Sequence, residues 1–466
     1  MKKVVIVGGG IAGLATAYYL QTRARATNAP IEYQLIESAP TFGGKIVSAR
    51  ADGFVVEGGP DSFIAQKPAA LELCRALGLG DQLIGTNDAA RKVFVWSRGQ
   101  LRPMPAGMNL IVPTRITPFL TSSLVSWGGK LRMGLELFIP PRRDDGDESL
   151  AHFVRRRLGA EALDKIAEPM IAGIYVADAE DLSLQSTFPR FLEMEKKYGS
   201  LIRGMRQQPR PPQNGKAATS MFMTLRDGLQ ELVEALLDQL DHDALLLNRR
   251  VVALRRDAGA YHIALNDGAA IRADAVVFAT PAYVSAELLQ AIAPELASAL
   301  RAIGYVSTAT VSLGFRRAEL SHSLEGFGFV VPSSERRKIT ACTWSSTKFN
   351  HRAPDGYALV RGFIGGAHAE ALMEQDDAAL VQTVRDELRA MMGITATPVL
   401  TKVFRWHKAN PQYAVGHQAR VTAIERLAAQ QTGLYLAGAA YHGVGIPDCI
   451  ADGARVAAQL LKLEEP

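Results

Sequence analysis

A run of β-branched residues that empties directly into a glycine cluster leaves a chain few folds to choose from. Val4-Val5-Ile6-Val7 is followed at once by Gly8-Gly9-Gly10-Ile11-Ala12-Gly13, and apolar residues at helical spacing continue from Leu14 to Leu20. The run reads as a buried parallel strand, the glycines as a GxGxxG turn and the remainder as a helix. In that order each glycine has a task. Gly8 permits the tight turn, Gly10 lets the backbone approach a pyrophosphate, and Gly13 lets helix and strand close on each other. Gly9, Ile11 and Ala12 complete a cradle at the helix N-terminus, where unpaired N–H groups favour phosphate.

A second apolar strand, Tyr33 to Ile36, ends in Glu37. That acid stands 24 residues past Gly13, against about 20 in the usual dinucleotide fingerprint. The polar stretch Arg23 to Pro30 reads as a longer helix–strand loop that takes up the surplus. Glu37 is placed to accept hydrogen bonds from a ribose, and its charge disfavours a 2′-phosphate.

Composition narrows the partners. The 466 residues suit roughly three domains, and 48% hydrophobic with 21% charged residues is a globular balance. The three cysteines, Cys74, Cys342 and Cys449, lie far apart without a CxxC, so no disulfide framework, zinc site or dithiol centre is expected and a reducing cytosol fits. No metal site is expected elsewhere. Lys and Arg number 52 against 47 Asp and Glu, a scattered excess of +5. That excess suits an acidic small molecule better than nucleic acid. No segment reaches the ~18 apolar residues of a membrane span, and the glycine cluster interrupts any secretory leader. The chain reads as cytoplasmic, either free or peripheral on the inner face of the cell membrane.

Between residues 100 and 145 apolar stretches alternate with Pro and Gly. Leu131 to Ile139 looks helical. With Lys130, Arg132 and Arg142 beside it, the segment suits a membrane-surface element or a lid helix packed on its own domain, and the lid is preferred. Glu148 to Leu158 reads as an amphipathic helix whose Arg155-Arg156-Arg157 form a solvated face. Gly173 to Asp178 breaks the helical pattern after Pro169. Residues 206–220 read as a solvated extended loop, and Leu225 to Leu240 as a helix. Val251 to Leu254, Tyr261 to Leu265 and Ala275 to Phe278 read as a β-meander. Strands are expected near 308–315, 327–331 and 358–364, with one helix from Asp376 to Met392. At the end, Gly433 to Gly438 reads as a strand entering a glycine. Gly443 to Ile450 then opens a helix that ends near Leu461 and offers free N–H groups and partial positive charge at its start. Asp448 there either faces a ligand or caps the helix. Cys449 reads as a small packing residue.

Two further motifs follow the ribose acid: Gly43-Gly44-Lys45, then Glu57-Gly58-Gly59-Pro60-Asp61-Ser62-Phe63. A GG pair at this place resembles the second flavin motif of the amine-oxidase-like FAD superfamily. Together with PMPAGM at 103–108, AGIYVADAEDLSLQSTFP at 172–189, PQYAVGH at 411–417 and GVGIPDCI at 443–450, the resemblance runs nearly end to end. It is to the oxygen-dependent protoporphyrinogen/coproporphyrinogen oxidases, and more closely to their soluble bacterial branch.

The resemblance implies an α/β architecture. A discontinuous Rossmann-like FAD-binding domain takes 1–75, 217–283 and 425–466, a mixed-sheet substrate domain takes 76–110 and 284–424, and a helical subdomain, lid or membrane-facing, takes 111–216. It implies non-covalent FAD held by Gly8 to Gly13, Glu37, Gly43, Gly44, Lys45, Gly59, Pro60, Asp61, Ser62, Val252, Trp406, Gly438, Gly445, Ile446, Pro447 and Asp448. Lys67, Gly173 and Phe363 fall near the reacting centre, and Lys67, Arg91, Lys92 and Arg361 are candidates for anionic substrate groups. The implied reaction is a six-electron oxidation of coproporphyrinogen III by O2 in haem biosynthesis, with the next enzyme of that synthesis as a possible partner. Oxidation of protoporphyrinogen IX, another amine oxidase or desaturase activity, and a non-catalytic binding protein stay open beside it. Two departures stand out: Phe363 replaces a tyrosine of many relatives, and Glu57-Gly58 replaces their Glu-Arg.

Overall fold

The computed structural model describes residues 1–109, 111–207, 220–367 and 369–463. The loop expected at 206–220 lies mostly outside them.

Alternation along Lys2–Val7 sends Val4 and Ile6 into one core and Val5 and Val7 into another. Such a strand must sit in the middle of a sheet covered on both faces. It does. Five parallel strands run in the order Leu245–Leu246, Ile31–Ile36, Lys2–Val7, Ala275–Phe278, Leu434–Leu436. Helices Ile11–Thr27, Gln230–Gln239 and Ile446–Leu461 cover one face. The other is covered by an antiparallel meander, Val251–Asp257, Ala260–Leu265 and Ala270–Ala273, and by helices Ala282–Leu289, Pro294–Arg301 and His417–Ala429. Chain order reverses at the central strand, and open α/β sheets bind ligands beyond the carboxyl ends of their strands at that reversal.

Several expectations need correction here. The helix after the turn runs to Thr27, where Asn28 ends it in the left-handed conformation, so helix rather than loop takes up the extra spacing before Glu37. Ala275–Phe278 pairs with Lys2–Val7 and not with the meander. The stretch from Leu225 begins as the end of a strand, Phe222–Leu225, and the helix starts at Gln230.

The second sheet has seven strands in the order Leu400–Pro411, Tyr305–Arg316, Tyr357–Gly365, Ala341–Thr343, Gly328–Val330, Val93–Ser97, Gln100–Pro103. Only the Gly328–Val330/Val93–Ser97 pairing is parallel. Ala309, Val311, Leu313, Val360 and Ile364 pack with the Asp377–Met392 helix on one face. Strand alternation puts Thr308, Thr310, Ser312, Arg361 and Phe363 on the opposite face, with Ser312 opposite Arg361 and Thr310 opposite Phe363.

Residues 111–207 form a helical region with its own core. Here the charge run departs from expectation. Arg157 is fully buried: its Nε donates to Glu136 Oε1 at 2.9 Å, and its Nη groups reach the carbonyls of Ile139 and Gly199. Arg156 bonds Glu148 and Glu195. Only Arg155 remains on a solvated face. The helical pattern also survives Pro169. A π-helical turn, Leu163–Ala167, precedes it, and the helix Glu168–Tyr175 continues through Gly173; the widened turn accommodates a residue without an N–H.

A helix, Trp127–Gly134, and a 3-10 turn, Leu135–Phe138, stand where a single helix was expected over 131–139. Met133 and Glu136 point inward. Trp127, Leu131 and Phe138 are 72%, 69% and 78% exposed, and Ile116 and Leu120 lie exposed nearby. No helix of the described residues is long and apolar enough to cross a membrane.

Candidate functional site

The two sheets meet on the turns that leave the parallel strands. At the first turn the three motif glycines separate by what surrounds them. Gly8 has φ +107°, and a Cβ there would lie 2.8 Å from Ala279 O. A Cβ on Gly13 would lie 1.9 Å from Gly8 O. Both are therefore required by the chain's own packing. A Cβ on Gly10 would meet nothing within 4 Å, so this glycine faces space that the protein leaves open. Gly10 is also the N-cap of Ile11–Thr27 and offers no side-chain cap. An uncapped helix start beside open space fits a pyrophosphate.

Glu37 is oriented by the backbone: Oε2 accepts from Gly9 N at 2.7 Å and Oε1 from Ala39 N at 2.8 Å. The bulge between Val251 and Ala253 leaves Val252 out of the register, and its side chain is exposed. Just ahead of it, Arg249 N donates to Glu37 O at 2.9 Å.

The second motif stacks on the first. Gly43 N donates to Gly9 O at 2.8 Å, and a Cβ on Gly44 would stand 3.1 Å from Gly10 Cα. Lys45 turns inward, its Nζ on Ala409 O at 2.8 Å, and burial pulls its pKa down. Its own carbonyl lies where a Cβ on Gly59 would project.

The Gly58–Ser62 turn is where the seven-stranded sheet makes contact. Gly58 O accepts from Thr310 Oγ1 at 3.0 Å, Arg361 Nη2 at 2.9 Å and Trp406 Nε1 at 2.9 Å. Asp61 pairs with Lys348 Nζ at 2.8 Å and accepts from Ser62 Oγ at 2.6 Å. Burial opposes ionisation of Asp61, but Lys348 and Arg361 outweigh it and hold the carboxyl at about 2. Pro60 joins Gly59 to Asp61. A Cβ at Gly58 would lie 2.6 Å from the Phe404 ring, so no arginine fits at 58 unless Phe404 moves. Phe363 lies on the same sheet face, 4.8 Å from the Arg361 guanidinium.

At the third turn Gly438 N donates to the buried Asp452 at 2.7 Å. Gly445 is the N-cap of the helix that opens with Ile446 and Pro447. Asp448 is thus not the cap. It stands at the third helical position, where Oδ2 reaches back to Gly445 N and Oδ1 pairs with Lys67 Nζ at 2.6 Å. Cys449 is buried, and burial pushes its thiol up to about 12.

The structure therefore brings Lys67 to Asp448 and Arg361 to the Gly58 turn. Arg91 and Lys92 stay exposed, and the Arg91 guanidinium reaches Met221 Sδ at 3.9 Å. Gly173 lies in a helix whose following residue Val176 abuts Gly366, at the end of the strand that carries Arg361 and Phe363. Sequence reasoning did not single out Lys348, Thr310 or Tyr413. Tyr413, inside the PQYAVGH stretch, donates from its hydroxyl to Ala439 O at 2.8 Å and stacks on His417. Lys348 carries no local motif that marks it.

The profile of the family described as flavin containing amine oxidoreductase matches residues 11–461. A Bacillus subtilis (strain 168) protein named coproporphyrinogen III oxidase is 39% identical over 457 residues, covering 97% of this chain and 96% of that one. The Bos taurus protoporphyrinogen oxidase is 32% identical over 491 residues, with 99% of each chain covered. A crystal structure of an Exiguobacterium sp. 255-15 protein assigned as a protoporphyrinogen oxidase superposes with a TM-score of 0.87 at 35% identity, covering 98% of each chain.

Proposed function

The chain belongs to the family of flavin containing amine oxidoreductases, and on that premise we propose that it oxidises coproporphyrinogen III to coproporphyrin III with O2. The observation that carries the substrate is the 39% end-to-end identity to a protein named for it, against 32% to a protoporphyrinogen oxidase. Three two-electron steps remove six hydrogens from the macrocycle, and three O2 leave as hydrogen peroxide. FAD, when bound, supplies the acceptor for carbon-bound hydride and returns the electrons to O2.

The protein's own work is positioning. Gly10 and the uncapped start of the Ile11–Thr27 helix fit the pyrophosphate, and Glu37 fits the ribose. The Gly58–Ser62 turn and the start of Ile446–Leu461 fit the redox-active end, between the parallel sheet and the polar face of the seven-stranded sheet. We read the chain accordingly as a cofactor part, a substrate part and a helical part. FAD is held without a covalent bond; a buried Cys449 whose thiol is raised to about 12 is a poor nucleophile. Acid precipitation then releases the flavin into the supernatant, and flavin in the pellet overturns this point.

Anaerobic coproporphyrinogen III should bleach the ~450 nm flavin band. Oxygen should restore it, with three peroxides per porphyrin formed. A band that persists under anaerobic substrate contradicts the proposal.

The exposed Trp127–Phe138 stripe supports a peripheral position at an anionic membrane surface. Beside it Arg115 and Arg143 are exposed and supply positive charge, while Lys130 is buried on the carbonyls of Leu120 and Ser122 and Arg142 is paired with Asp144 and Glu148.

A further inference from the structure

The strand Tyr357–Gly365 carries a buried cation that the reading above leaves without a task. Arg361 is 3% exposed. Its Nη2 donates to Gly58 O at 2.9 Å and to Gly59 O at 2.6 Å, and its Nε has no partner. Thr310 and Trp406 also hold Gly58 O. In a trans peptide the oxygen and the following N–H point in opposite directions. Fixing Gly58 O toward the sheet therefore turns the Gly59 N–H away from it.

Around this turn Glu57 and Asp61 lie among Arg352, Lys348 and Arg361, and Asp227 and Glu231 also act on Arg352. Arg352 stands 3.6 Å from Glu57 and Lys348 pairs with Asp61. Arg361 hydrogen-bonds neutral carbonyls and reaches the acids only through space. It is itself buried, where a charge acts more strongly than it does in solvent. A substrate carboxylate could use it only by entering that buried position and losing its own hydration.

We propose that Arg361 is a positioning residue for the flavin rather than a ligand for substrate carboxylates. It pins the Gly58–Gly59 turn from behind, and its buried charge makes the bound flavin easier to reduce. The inference rests on the flavin reading above. Two-electron reduction adds negative charge to the cofactor, and a fixed neighbouring cation stabilises that state without having to reorganise.

The test is the reduced-to-oxidised flavin ratio of the loaded enzyme against a reference dye held at fixed potential. Arg361→Met should lower the ratio at least tenfold, ~30 mV for a two-electron couple. Arg361→Lys should keep the ratio within about threefold but lose FAD more readily, because an ammonium cannot reproduce the planar fork on two carbonyls. Two further variants keep the proposal open to refutation if Arg361→Met does not fold. Lys348→Met should lower the ratio and Asp61→Asn should raise it, since one removes a cation and the other an anion from the same cluster. The proposal is overturned by a yellow, folded Arg361→Met enzyme with an unchanged ratio. It is also overturned by a raised KM for porphyrinogen at unchanged potential, or by Lys348→Met and Asp61→Asn variants that do not shift in opposite directions. A wild-type protein that purifies without flavin defeats the underlying reading instead.

Discussion

The nucleotide turn and the helical region 111–207 are stabilised by opposite arrangements of the same chemistry. Around Gly8–Gly13 the apolar strand lies inside, Gly8, Gly9 and Gly13 stand where a side chain collides, and Gly10 faces open space. In the helical region Arg157 and Glu136 lie fully buried while Trp127, Leu131 and Phe138 stand in solvent. Steric exclusion is local and reads directly from spacing. A buried ion pair depends on a partner supplied from another segment, and alone each half looks like surface.

Adding a side chain to the turn should give the largest effects. Gly13→Val drives carbon into Gly8 O and should cost more than about 4 kcal/mol, leaving little folded protein by thermal unfolding. Gly10→Val has room and should fold, yet purify without flavin. A yellow Gly10→Val protein breaks the assignment of that space to the cofactor.

Next comes the buried pair. Arg157→Met strands Glu136 without its cation and should lower stability by about 3–5 kcal/mol in denaturant melts. A loss below 1 kcal/mol would place Arg157 on the surface after all.

Acid should probe the same cluster. Burial pushes the Glu195 carboxyl up, but its hydrogen bonds to Arg156 outweigh this and hold it below the usual carboxylate range. A depressed carboxyl contributes stability that is complete above its unfolded pKa, ~4.3, and lost as pH falls through the lower folded value. Wild-type stability should thus drop below about pH 4, and less steeply in Arg156→Met. Equal slopes contradict the pairing.

The exposed stripe should give the smallest change in stability. Trp127→Ser with Phe138→Ser should alter it by less than about 0.5 kcal/mol each while abolishing cosedimentation with anionic vesicles. If wild type and variant sediment alike, the membrane position falls.

What the sequence conveyed follows the same divide. The strand–turn–helix, the GG pair and the Gly445 helix start were legible because each is set by residues close in sequence. The strands Tyr305–Arg316 and Tyr357–Gly365 and the helix Asp377–Met392 announced themselves by periodicity. The pairs that assemble the site did not. Lys348 meets Asp61 across 287 residues and Arg361 meets Gly58 across 303. Lys67 is a candidate through the family resemblance alone, and its partner Asp448 lies 381 residues away. Arg361 was expected among the groups that meet the substrate, because a sequence shows the charge and not which side of the sheet buries it.

The substrate assignment is tested most directly by a paired assay. Anaerobically prepared coproporphyrinogen III and protoporphyrinogen IX are offered at matched concentrations, with porphyrin fluorescence followed after oxygen is admitted. The account predicts the higher kcat/KM for coproporphyrinogen III; a higher value for protoporphyrinogen IX would contradict it.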